Sequence, residues 1–176
     1  GLSAGYALFG VVTHRVVEAA RRSGRPPGLL GLYGMVEASI GAFALVFPFL
    51  FGLVQQLSLW LPHGNEALGF ALDVGLTVLL LGPPTVLMGG TIPILTLALA
   101  GSLARATRVH AWIYGFNTLG AFAGALAGGF WLVPALGLDN VLYAMGALNL
   151  FAGMVFLMLD RRGAHVATEG MTGHGT

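Results

Sequence analysis

The sequence predicts an all-α fold, a polytopic transmembrane helix bundle of about five spans, and three observations predict it. Charged residues make up 9% of the 176-residue chain, against roughly 25% in ordinary soluble domains. Hydrophobic residues make up 56%, too many to leave a solvated shell around a soluble core. All eight basic residues are arginines, and they fall in three clusters between long apolar stretches: Arg15, Arg21, Arg22 and Arg25, then Arg105 and Arg108, then Arg161 and Arg162. The intervening loops, Pro62 to Glu66 and Pro134 to Asn140, hold no Arg or Lys. Cytoplasmic loops carry the excess of Lys and Arg, so this alternation predicts spans and orientation together, with every cluster inside.

A spanning helix needs about 20 apolar residues at 1.5 Å each. The first span, residues 1–14, would reach about 21 Å and is expected to be partial, cut short where the chain begins. No charged n-region or small-residue cleavage site marks a signal peptide there. Glu18 and Arg22 are read as an i,i+4 pair on a surface turn after it. The second span is expected at 29–53, with Gly34, Ala38 and Ala42 as a ridge of small residues. The third, 68–99, would be about 48 Å long if straight, and it contains Pro83, Pro84 and Pro93. Proline removes a backbone donor and clashes with the preceding turn, so a kink or break is expected near one or both sites. Broken helices of that kind are common at transporter binding sites, and proline kinks are equally routine in structural spans.

The fourth span is expected at 111–133. Trp112 and Trp131 lie 19 residues apart in it, about 28 Å along a helix, which suits two interfacial belt positions. Gly120, Gly124 and Gly128 form a ridge for close helix approach in lipid, facing another span of this chain or a second copy. The fifth span is expected at 138–159. Residues 1–160 thus form the bundle, and 161–176, small, polar and Gly-rich, are expected to be a flexible cytoplasmic tail or linker.

Ionisable side chains within spans are candidates for function, and Glu37 leads them. It lies about eight residues into its span, roughly 12 Å from the cytoplasmic start, and Asn117 lies at a similar depth in the fourth span. Tyr33 shares a helix face with Glu37, and Tyr114 with Asn117. Thr91 and Asn149 come out slightly deeper. Tyr33, Glu37, Thr91, Tyr114, Asn117 and Asn149 are therefore expected to form a polar layer in the cytoplasmic half of the bundle. Such a layer would bind a cation or amine or relay a proton; alternatively, these groups merely bond neighbouring helices. Asp73, about five residues from the outer end, is a weaker candidate.

The remaining chemistry is sparse. With no cysteine there is no thiolate site or thiol nucleophile, and His14, His63, His110, His165 and His174 show no ligand spacing, so no metal is expected. No G-x-S-x-G, H-E-x-x-H, Walker or G-x-G-x-x-G motif occurs. A self-contained enzyme is not expected, nor any cofactor in this chain. The dispersed arginines argue against a nucleic-acid partner; the lipid bilayer is the expected one.

The runs LGPPTVLMGGTIPILTLALAGSLAR (81–105) and YGFNTLGAFAGALAGGFWLVPALGL (114–138) resemble the membrane region of fused major-facilitator/spermidine-synthase-like proteins of bacteria. That family carries a P-P-T-x-L-M-G-x-T-x-P segment, then a Y-x-x-N-T-x-G-A-x-x-G-A helix and an L-P-x-L-G-L turn. GLYGMVEASIGAFALVFPFL (31–50) resembles its L-Y-x-x-x-E-x-x-I-G helix, matching Tyr33 and Glu37. GYALFGVVTHRV resembles its second span and basic loop, with His14 where the facilitator signature has an acid. The resemblance covers nearly the whole chain. It implies a facilitator-like bundle in a bacterial inner membrane, a first helix ahead of Gly1, and an aminopropyltransferase-like domain after Arg162 in the parent protein. It also implies an amine as the small-molecule partner. Three functions follow as expectations: a transporter-like module for polyamines or other amines, an anchor for a C-terminal cytoplasmic synthase-like domain, or half of a major facilitator transporter.

Overall fold

The computed structural model describes residues 1–24, 26–61, 65–100 and 103–172, with side chains described for all of these except 103–106 and 163–172. Arg25, residues 62–64 of the expected outer loop, and 173–176 lie outside the described residues. The described chain is helical throughout: α1 (Leu2–Ser23), α2 (Leu29–Trp60), α3 (Glu66–Ala100), α4 (Leu103–Ala127), a π-helical turn (Gly128–Leu132), α5 (Val133–Leu136) and α6 (Leu138–Thr172). Four stretches are long and apolar enough to cross a membrane, Leu29–Trp60, Glu66–Ala100, Thr107–Leu136 and Leu138–Arg162. This is an all-α multi-pass membrane bundle.

Each junction has a local cause. α1 runs past the expected end at His14, because Val16, Val17, Ala19 and Ala20 continue its apolar pattern. It stops at Gly24, whose φ of 65° lets its N–H bond the Ala20 carbonyl; Pro26 and Pro27 then prevent continuation. Arg21 and Arg22 close the last turn, where a positive charge meets the negative end of the helix dipole. Glu18 faces His14 at 3.6 Å, not Arg22 as expected. At the other end of the bundle, residues 134–140 do not form the expected loop. α5 and α6 flank one glycine, Gly137, at φ 80°, and Asn140 Nδ2 donates to the Leu136 carbonyl at 2.8 Å.

The prolines act where the sequence did not place them. α3 stays helical from Glu66 to Ala100 through Pro83, Pro84 and Pro93, so the stretch where a kink or break was expected keeps its helical assignment. α1 lies along this stretch, with Gly5 against the Val86 carbonyl and Gly90 against the Phe9 ring, and protein cover is what makes freed backbone groups tolerable at membrane depth. The irregularity occurs instead in the fourth span, where the Val133 N–H reaches back to the Gly128 carbonyl. Pro134 has no N–H for the Phe130 carbonyl and its ring would crowd it; the wider turn just ahead relieves that clash. At the C-terminal end, α6 continues to Thr172. Residues 161–172, within the stretch expected as a tail or linker, continue α6 as helix: no proline interrupts them, and an established helix propagates.

Packing rests on close backbone approach. α2 and α6 run antiparallel, Gly34 opposite Gly153 and Gly41 opposite Gly146. A Cβ on Gly153 would stand 2.6 Å from the Gly34 carbonyl oxygen and 2.8 Å from the Ala38 nitrogen. The expected ridge on α2 thus holds at Gly34 and Ala38, but Gly41 continues it and Ala42 is exposed. α1 and α3 run parallel over Gly5 and Gly89. Phe9, Val36 and Ile94 join α1, α2 and α3 in one buried cluster. Of the two expected partners of the Gly120, Gly124 and Gly128 ridge, the span of this chain is corrected among the described residues: a Cβ on any of the three meets nothing within 4 Å. Among the described helices α4 packs mainly on α3. Trp112 and Trp131 are exposed, as belt residues would be.

Gly153→Leu should therefore destabilise the bundle by about 1–3 kcal/mol, the usual cost of overpacking, while Gly124→Leu should change it by less than about 0.5 kcal/mol. Thermal or denaturant unfolding of the purified variants checks both.

Candidate functional site

The four apolar helices bring most of the expected polar layer to one place. Glu37 from α2, Thr91 from α3, Tyr114 and Asn117 from α4, and Asn149 from α6 line a single cavity of about 830 Å³. That volume lies within the roughly 300–1,000 Å³ of small-molecule sites. Each residue arrives by a simple register. Glu37 sits between Gly34 and Gly41 on α2, so the glycine contacts that seat α2 on α6 also fix its height. Asn149 lies between Gly146 and Gly153 on the facing helix, at the same level. Thr91 follows Gly89 and Gly90, where α3 is held against α1.

Tyr33 is the member that stands apart. It lines a neighbouring cleft of about 400 Å³, which shares Thr91 and Asn117 with the larger cavity. Its ring packs edge-on against Phe156 of α6 at 4.6 Å, one helical turn before Glu37. Pro83 and Pro84 do not line either space, and neither does Pro93. Pro93 faces the arginine-bearing end, in a cleft of about 430 Å³ between α1, α3 and α4.

Among the described residues lining the main cavity, Glu37 carries the sole charge. No arginine reaches it. The Thr91 hydroxyl donates to the Met88 carbonyl of its own helix at 2.8 Å, so it offers the cavity an acceptor. The wall on the α4 side is loose, with Tyr114 58% exposed. The arrangement is a half-open polar cleft in an apolar bundle, with one carboxylate, several amide and hydroxyl groups, and no fixed countercharge. A carboxylate so placed suits an ammonium or another small cation.

Sequence reasoning missed three groups. Ser3 and Tyr6 of α1 and Thr118 of α4 also line the cavity. Ser3 and Tyr6 are three residues apart on one face, the same signal that paired Tyr114 with Asn117. It also took His14 and His110 as isolated, whereas both line the cleft at the arginine-bearing end, with Glu18 and Arg21. There His110 Nδ1 lies 3.2 Å from Thr96 Oγ1. No three His, Asp or Glu side chains converge there as a metal set among the described residues. Comparison with protein-family models, curated proteins and solved structures found no match.

Because no hydrogen bond ties Glu37 to another helix among the described residues, Glu37→Gln should alter bundle stability by less than about 1 kcal/mol. A larger loss on unfolding the purified variant would mark Glu37 as a structural tie.

Proposed function

We propose that this chain is a facilitator-like membrane domain that binds and passes a small organic cation, a polyamine or related amine, with Glu37 as its countercharge. The observation that carries this reading is the convergence of Glu37, Thr91, Tyr114, Asn117 and Asn149 from four helices on one cavity. Intramembrane carboxylates are costly and face a cavity, a partner or a substrate path. Glu37 faces a cavity and has no arginine partner there. Tyr114 and Asn117 supply an aromatic face and an amide for orienting an ammonium group, with cation–π attraction adding to the carboxylate. The likeness of residues 31–50, 81–105 and 114–138 to the membrane region of spermidine-synthase-like fusion proteins supports an amine as the cargo.

In this reading the arginine-bearing ends of α1, α4 and the α6 span face the cytoplasm of a bacterial cell, and α4, whose main partner among the described helices is α3, is the mobile wall. The helix that carries Tyr114 and Asn117 is then the one free to shift, which would open or close the cleft around a seated cation. Movement of α4 leaves the paired α2 and α6 undisturbed, so Glu37 and Asn149 stay fixed while the gate moves.

Two outcomes are expected. In vesicles reconstituted with the purified protein, Glu37→Gln should lower uptake of labelled spermidine about tenfold or more, the worth of one charge-assisted contact; uptake at the wild-type rate would end the assignment. Since the chain has no cysteine, single thiols can be introduced at Arg108 and Asn140. In intact cells an impermeant maleimide should label the second and spare the first.

A further inference from the structure

We infer that the arginine-free end of α2 and α3 carries a second binding site, for an alkylammonium group, centred on Asp73. It shares its ligand class with the Glu37 reading and rests on that reading for this alone. Asp73 lies seven residues into α3, about 10 Å along the helix. Its Oδ1 accepts a hydrogen bond from Ser58 Oγ of α2 at 2.5 Å, which fixes the carboxylate without neutralising it. No Arg or Lys occurs between Arg25 and Arg105, so neither α2 nor α3 holds a cation to offset it. Glu66 adds another negative charge at the start of α3.

The carboxylate opens on an exposed groove of about 630 Å³ between the two helices, lined also by Gln55, Gln56, Thr77 and Leu76. Thr77 donates its proton to the Asp73 carbonyl at 2.7 Å, leaving lone pairs for the groove, and each glutamine adds a carbonyl oxygen. The polar wall is thus rich in acceptors and carries a net negative charge, while Leu76 and Leu59 supply an apolar wall. A bare metal ion would leave most of that volume and all of the apolar wall unused. An ammonium group on a short alkyl chain uses both.

The absence of native cysteine gives a direct test. Leu76→Cys places one thiol in the groove, and its labelling by an impermeant maleimide, in the protein reconstituted in nanodiscs, reports occupancy. Added 1,4-diaminobutane should slow that labelling. Asp73→Asn in the same background should raise the half-protecting concentration about tenfold or more, and Gln56→Glu should lower it. Glu37→Gln should leave it unchanged, so failure of the deeper site is read separately, by uptake. A thiol that is not labelled, is not protected, or is protected equally with Asp73→Asn would overturn the site. Loss of protection in Glu37→Gln with retention in Asp73→Asn would overturn it too. Should Asp73→Asn not fold, absence of any tightening by Gln56→Glu overturns it alone.

Discussion

Helices in lipid gain nothing from hiding apolar surface from one another, because the acyl chains are as apolar as leucine. What joins them is contact between backbones, and in this chain that contact is made over glycine. Gly34 and Gly41 against Gly153 and Gly146 seat α2 on α6, and Gly5 against Gly89 seats α1 on α3. The Phe9–Val36–Ile94 cluster then locks the two pairs together. Everything that bears on function follows from this division. The two pairs are tight, whereas α4 has no glycine contact and leans on α3. The cavity forms between the tight part and the loose wall, and its polar groups sit at the height the glycine contacts dictate.

Legibility from sequence followed the same division. Helix class and the placing of Glu37, Thr91, Tyr114, Asn117 and Asn149 along one cavity were readable, because position along a helix and helix face depend on residue count alone, whereas helix ends were not, α1 running past His14 to Ser23. Partner choice was not. The ridge at Gly120, Gly124 and Gly128 looks as strong in sequence as the one at Gly34 and Gly41, yet only the second is filled among the described helices. Small residues permit close approach; they do not say which helix comes. The effect of proline depends on context for a related reason. Pro83, Pro84 and Pro93 are bridged because α1 covers their stretch of α3, while Pro134, in the sparsely covered fourth span, is accommodated by a π turn. Whether a proline breaks a helix depended on neighbours that sequence order does not reveal. Tyr33 was placed one cleft away from its expected position by a ring contact with Phe156, a tertiary detail invisible in a count of residues.

Charge is arranged along the bundle axis as well as within it. The described arginine-bearing helix ends lie together at one end, while Glu66, Asp73 and Asp139 fall at or near the other. In a medium where water screens little, such an arrangement sets up a potential that falls toward the arginine-free end and attracts cations there. Glu37 lies between the two ends, on the α2 face that looks into the cavity.

A carboxylate at that depth needs something to compensate it. Desolvating an ion costs several kcal/mol even after relaxation, and proteins usually meet that cost with a fixed partner. Tyr33 stands one helical turn before Glu37, and no hydrogen bond ties the carboxylate to another helix among the described residues. A permanent arginine would have been cheaper for stability, and the helices that line the cavity have none facing it. In the proposed function the remaining compensation comes from outside the described residues: a proton, or a cation that enters the cleft. Either occupant is exchangeable, and an exchangeable countercharge beside the most loosely held described helix is what the proposed passage of a cation requires.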